Sequence, residues 1–278
     1  METKNLITSS SNQVIKLVRS LYQKKKRDES GLFLVEGIHH VGALFESGWG
    51  VASILYAPEL LTSDYGLQLI RQREEQGDLC YRINSDLFRK IADKDHPQGI
   101  IAIARKQTLT IDQIDKQAFQ WGIAVVDPQD PGNVGAIVRT MDAAGADTLF
   151  ILDDGVDIFH PTLVRASMGA CFWIPIVELE FGAFVEWCRE RGIILLGTTA
   201  HGASPSTDLA IRPPWVLLLG NEQKGLSAGQ QRSCNQILSL PMHGRGSSLN
   251  LAVAAGIMLY DLGGPEMSVK VEDVSRRA

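Results

Sequence analysis

Between residues 121 and 241 the chain keeps returning to short apolar runs: WGIAVVD, DTLFIL, FWIPIV, GIILLGTTA, WVLLLG and QILSLP. A strand with one face in water alternates apolar and polar residues, and several of these runs do not alternate. Unbroken Val, Ile and Leu is the pattern of a strand whose sheet is covered by helices on both faces. Helical spacing fills the gaps, over 133–144, 161–167, 182–191 and 249–262. This alternation confines the second half of the chain to an α/β fold built on a parallel sheet.

The first half reads as a smaller α/β unit. LFLVE, ASILYA, LCYRI and GIIAIAR are expected strands, separated by expected helices at HHVGALFESG, GLQLIRQREEQ and SDLFRKIAD. Ahead of them, NQVIKLVRSLYQKKKR places Val14, Leu17, Val18 and Leu21 at helical spacing behind Asn12, an expected N-cap. The alternation closes near Arg105, and the polar stretch KQTLTIDQIDKQ follows. A length of 278 residues is consistent with two domains. The expected division is 1–105, a linker at 106–118, a second domain at 119–264 and a mobile tail at 265–278.

Composition excludes several classes. No apolar run approaches the roughly 18 residues a membrane span needs. The opening METKNLITSSSNQ has no apolar core of the kind a secretory signal carries, so a cytoplasmic protein without a membrane partner is expected. Cys80, Cys171, Cys188 and Cys234 form no C-x-x-C pair, and none is near a histidine at ligand spacing. His39 and His40 are adjacent, which on a helix points them apart. Reduced thiols in or near cores and no metal site are expected. The net charge of −5 argues weakly against nucleic acid. Yet Lys4, Lys16, Arg19, Lys24, Lys25, Lys26 and Arg27 share one interval with no acid in it. Such a run is a solvated helix end or a set of phosphate contacts.

Three strand ends carry polar or glycine-containing turns. In VVDPQDPGNVGAIVRT the chain turns over 127–132, Asn133 stands at a helix entrance, and Arg139 lies nearly two helical turns further on. In VLLLGNEQKGLS a strand ends at Gly220 and Asn221-Glu222 follow. Gly220 and Gly225 mimic the spacing of a nucleotide-binding P-loop. The lysine precedes Gly225, however, and no Lys-Ser/Thr follows it, so the phosphate and magnesium contacts of that motif are not available. In LSLPMHGRGSSLNLAVAAGIMLYDL a strand ends at Pro241, and Ser247 or Ser248 is positioned to cap the following helix. That helix is apolar nearly all round, which calls for a deep core or a partner subunit.

Together the three turns resemble, in order and spacing, the three motifs of the SpoU/TrmH family of RNA methyltransferases, in the SPOUT superfamily. DPQDPGNVGAIVRT resembles the first motif, LGNEQKGLS the second and LPMHGRGSSLNLAVAAGIMLYD the third; VRASMGA resembles the segment between. The likeness spans roughly residues 121–262. NQVIKLVRSLYQKKKRDESGLFLVEG resembles the L30e-like substrate-binding domain found in this family. One departure is Gln223, at a place where the family usually has glycine.

The resemblance implies a fold and a chemistry. The C-terminal parallel-sheet domain would carry a deep trefoil knot, and S-adenosylmethionine would bind there at Gly220, Leu240, Leu249 and the Thr198, Thr199, Ala200 stretch. A ribose 2′-hydroxyl of RNA would receive the methyl group, ribosomal rather than transfer RNA on the strength of the two-domain layout. Asn133, Arg139, Glu222, Ser248 and Asn250 would be catalytic, with Arg139 acting as base or as phosphate anchor. Lys24, Lys25, Lys26 and Arg27 would contact RNA. A homodimer through the final helix is implied. The alternatives are a transfer-RNA methyltransferase and a non-catalytic RNA-binding or ribosome-assembly protein. A dinucleotide-dependent dehydrogenase lacks its glycine fingerprint here.

Overall fold

The apolar runs become two separate sheets in the computed structural model, which describes residues 6–93, 96–115, 117–200, 204–205, 211–246 and 248–263. Lys4, Ser247 and the expected tail at 265–278 lie outside the described residues. The chain divides into two units, one of residues 1–107 and 157–172, the other of residues 108–156 and 173–278.

The first unit contains β1 (Leu6–Ile7), α1 (Gln13–Ser20), α2 (Lys24–Ser30), β2 (Leu32–Glu36), α3 (Ile38–Glu46), β3 (Val51–Tyr56), α4 (Asp64–Glu75), β4 (Cys80–Ile83), α5 (Ser85–Arg89) and β5 (Ile100–Arg105). Its sheet runs β1-β4-β3-β5-β2. β4 pairs in parallel with β1 and β3, while β5 pairs antiparallel with β3 and β2. Asn12 does cap α1, accepting the Val14 N–H at 2.8 Å. Ile15, Val18 and Leu21 drop into the core with Leu34, Leu55 and Phe88.

The expected helix over 12–27 is in fact two. α1 stops at Ser20 and α2 starts at Lys24. The break is held by Arg27, whose Nη1 donates to the Leu21 carbonyl at 2.7 Å. A cation thereby satisfies one of the carbonyls a helix end leaves open. Arg27 is therefore not a surface contact for RNA. It is 1% exposed, and its Nε and Nη2 reach Asp157 Oδ2 at 2.7 and 2.6 Å. The three lysines beside it are exposed. Lys24 pairs with Asp28 at 2.8 Å and Lys26 with Glu29 at 2.6 Å, so acids one turn on offset much of the basic run.

The second sequence half supplies β6 (Trp121–Val126), α6 (Pro131–Ala144), β7 (Thr148–Leu152), α7 (Pro161–Ala166), β8 (Ile176–Leu179), α8 (Phe181–Glu190), β9 (Ile194–Thr198), β10 (Ser204–Pro205), β11 (Trp215–Leu219), α9 (Ala228–Arg232), β12 (Gln236–Ser239) and α10 (Leu251–Gly263). α7 belongs with the first unit. Residues 157–172, which the sequence assigns to the second domain, pack there through the Arg27–Asp157 pair and a cluster of Phe33, Trp49, Phe159 and Phe172. FWIPIV is a strand only from Ile176 onward, since residues 170–172 form a single 3-10 turn.

The sheet of the second unit runs β10-β12-β9-β11-β6-β7-β8, and every pairing is parallel. The runs that never alternate are its central strands: β6, β7 and β11 are buried at every residue. From β6 the chain steps outward to β7 and β8, and on the other side of β11 lie β9 and β12. That reversal is a topological switch point, where open parallel sheets bind ligands beyond the carboxyl ends of their strands.

Among the described residues no helix is long and apolar enough to cross a membrane. All four cysteines are free. Burial pushes the thiols of Cys80, Cys171 and Cys188 up to about 12, and that of Cys234 to about 11.

Candidate active site

At the end of β6 the backbone turns through Asp127, which holds a left-handed φ of 45°. A non-glycine residue takes that conformation readily only as Asn or Asp, and only with local hydrogen bonds. The Asp127 carbonyl accepts Asn221 Nδ2 at 2.7 Å, and its side chain accepts Gln129 Nε2 at 2.7 Å. α6 then opens two residues earlier than the sequence suggested. Asp130 is its N-cap, accepting the Gly132 N–H at 2.7 Å, and Pro131 fills the first helical position, where a missing N–H costs nothing.

β11 ends at Gly220. A Cβ there would land on the backbone of Gly225 and Leu226, so only glycine lets the chain close on itself at this point. The closure is a tight turn. The Gly225 N–H donates to the Asn221 carbonyl at 2.9 Å, and Asn221 Oδ1 accepts the N–H groups of Gln223 and Lys224 at 2.9 and 3.1 Å. Gly225 carries the left-handed φ of 64° that the turn requires, and Gln223 does not sit at positive φ. The glutamine is accommodated without backbone strain.

The Glu222 carboxylate points back to the first loop, accepting the N–H groups of Gln129 and Asp130 at 3.1 and 3.2 Å and Asn133 Nδ2 at 3.3 Å. Asn133 Oδ1 in turn accepts Asn250 Nδ2 at 2.8 Å. Asn250 Oδ1 then accepts the N–H groups of Ala252 and Val253, at 2.9 and 3.3 Å. Asn250, rather than Ser248, thus caps α10. One line of hydrogen bonds, Glu222 to Asn133 to Asn250, ties three loops that lie far apart in sequence.

These loops enclose a cavity of about 560 Å³ at the carboxyl ends of β9, β11 and β12. Gly220, Leu240, Leu249, Thr198, Thr199 and Ala200 all line it, as do Asn133, Glu222, Ser248 and Asn250. Asn221, Met242 and Met258 line it too and were not singled out from sequence. The signal for Asn221 was its place between a strand-ending glycine and Glu222. Arg139 does not line this cavity. It is exposed on α6 and makes no hydrogen bond or ion pair with a described residue. Lys24, Lys25, Lys26 and Arg27 belong to the first unit.

Residues 121–260 match the family model described as the SpoU rRNA Methylase family, and residues 12–102 match an MRM3-like substrate binding domain. The chain belongs to the SpoU rRNA methylase family. It is 32% identical to the 23S rRNA (guanosine(2553)-2'-O)-methyltransferase RlmP of Bacillus subtilis, over 93% of this chain and 99% of that one. It is also 32% identical to the 23S rRNA (uridine(2479)-2'-O)-methyltransferase of Streptomyces viridochromogenes, over 92% of this chain and 90% of that one. A crystal structure of an AdoMet-bound rRNA methyltransferase from Sinorhizobium meliloti superposes with a TM-score of 0.82 at 34% identity, covering 92% of this chain and 96% of that one. In SpoU terms, the cavity brings all three family motifs to one place.

Proposed function

We propose that this protein transfers a methyl group from S-adenosylmethionine to a ribose 2′-hydroxyl of 23S ribosomal RNA. The carrying observation is the Glu222–Asn133–Asn250 line around one cavity of about 560 Å³, within the range of small-molecule sites. The lining fits the cofactor: apolar Leu219, Leu240, Leu249 and Met258 for a flat base, and the backbone of the tight turn from Gly220 to Gly225 at the cavity wall. Bound there, the cofactor supplies a methyl group already made electrophilic by its sulfonium.

The protein's task is then alignment and exclusion of water. Gly220, Leu240, Leu249 and residues 198–200 hold the cofactor, chiefly with backbone. Ser248 and Asn250 orient the ribose. Glu222 acts at one remove, fixing the first loop and Asn133. The relatives named above support ribosomal RNA over transfer RNA. One is named for a guanosine and the other for a uridine, so no target base carries over.

The remaining parts of the reading rest on α10. Val253, Ile257 and Tyr260 are 50, 43 and 53% exposed and fall on one helical stripe. This apolar stripe is the surface of a homodimer, because a helix edge of this kind is otherwise a large patch in water. α10 packs on α6, which carries Arg139. Because Arg139 does not line the cavity of its own chain, we assign it to the cavity of the second copy, where its planar fork suits a phosphate of the target nucleotide. The path of the chain supports a knot: it passes from β11 beyond β9 to β12, then returns to pack α10 on α6.

The test is methyl transfer by the purified full chain from labelled S-adenosylmethionine to 23S RNA and to transfer RNA, both from cells lacking the protein. Label in a 2′-O-methylnucleoside of 23S RNA is expected. Label in transfer RNA alone would overturn the substrate, and no transfer to either would overturn the activity.

A further inference from the structure

Of the described residues that line the cavity, only Glu222 and Lys224 carry a formal charge. Their situations differ. The Glu222 carboxylate is engaged by two backbone N–H groups and the Asn133 amide. Lys224 is exposed, and its ammonium makes no hydrogen bond or ion pair with a described residue. Its backbone is nonetheless fixed, since the Asn221 side chain accepts its N–H and the Asn221–Gly225 turn closes around it. A rigid turn thus holds a flexible cation at the wall of the cavity.

S-adenosylmethionine brings three charges: a sulfonium, an α-ammonium and one α-carboxylate. The carboxylate needs a donor. The N–H groups of Ala252 and Val253, which the start of α10 would otherwise offer an anion, are already taken by Asn250 Oδ1. Of the described side chains lining the cavity, Lys224 is the one cation.

We infer that Lys224 binds the α-carboxylate of the cofactor and sets the preference of this cavity for an amino-acid-bearing adenosyl thioether. The inference rests on the cofactor reading above. It extends that reading to a residue of the second motif to which the resemblance gave no role.

The test compares two probes by calorimetry on the full chain without RNA: S-adenosylhomocysteine, and 5′-deoxy-5′-(3-aminopropylthio)adenosine, which is the same molecule without its carboxylate. Lys224→Gln should weaken S-adenosylhomocysteine roughly three- to tenfold, as for a partly solvated charge-assisted contact, and leave the aminopropyl probe unchanged. Lys224→Glu should weaken the first further and tighten the second, and Lys224→Arg should behave as wild type. Equal losses for both probes, or no loss for either, would overturn the inference. So would a variant that binds both normally but loses affinity for 23S RNA, which would make Lys224 a phosphate contact. Failure of the wild-type chain to bind S-adenosylhomocysteine at all would instead overturn the cofactor reading on which the inference stands.

Discussion

Replacing Arg27 by methionine leaves the Asp157 carboxylate 7% exposed and without its cation. Breaking a buried pair from one side costs about 3–5 kcal/mol, because the remaining charge is stranded. Arg27→Met should lower the urea midpoint accordingly, whereas Lys24→Gln, Lys25→Gln and Lys26→Gln should each stay within about 0.5 kcal/mol of wild type. If the three lysines contact RNA, the triple variant should flatten the salt dependence of RNA affinity without unfolding the chain. His160 lies close by. Its Nδ1 accepts the Thr162 N–H at 3.1 Å and caps α7. Burial first, and the Arg27 charge second, hold its pKa below the ordinary 6.5. The unfolded chain then takes up the proton more readily than the folded one. The cap's contribution is fully present above about pH 6.5 and is lost as pH falls below that value toward the lower folded-state pKa. His160→Asn keeps an acceptor that does not titrate, so thermal unfolding between pH 7.5 and 5.5 should depend less on pH in this variant. An unchanged slope would assign the acid sensitivity elsewhere. Arg139→Ala should abolish methyl transfer with S-adenosylmethionine affinity nearly intact, since Arg139 does not line the cavity of its own chain. A loss of cofactor binding would remove it from the RNA side of the site.

At the scale of elements, legibility followed burial. β6, β7 and β11 could be read because both their faces are covered, which leaves an unbroken apolar run. β1 and β10 are two residues each, too short for any period to show. The break between α1 and α2 was hidden because helical spacing continues through it; what stops the first helix is a guanidinium whose carboxylate partner is 130 residues away. The cavity loops were legible because glycine, proline and capping residues act locally. The position of Arg139 was not, because it depends on how α6 packs. For α10 the sequence suggested burial on every side, and one stripe is bare within the single chain. Ile257→Asp or Tyr260→Asp places a charge on that stripe and leaves Met258 and Leu259 in the core. Sedimentation at micromolar concentration should find the wild type dimeric and these variants monomeric, with transfer activity lost alongside. A monomeric wild type would refute the interface.

For the whole molecule, the division into two units does not follow the order of the chain. A fragment of residues 116–278 retains the complete parallel sheet but has lost Phe33 and Trp49, the partners of Phe159 and Phe172. It should bind a hydrophobic dye and unfold at lower temperature than the full chain, and calorimetry should still detect cofactor binding by its folded fraction. The same interleaving bears on synthesis. A chain emerging from the ribosome exposes residues 1–107 long before residues 157–172 exist. Until then the Arg27 side chain has no carboxylate, and the aromatic surface around Phe33 is uncovered. The amino-terminal unit therefore cannot mature as a nascent domain. Its core is complete only after β6 and β7, the first two strands of the second sheet, have also been translated.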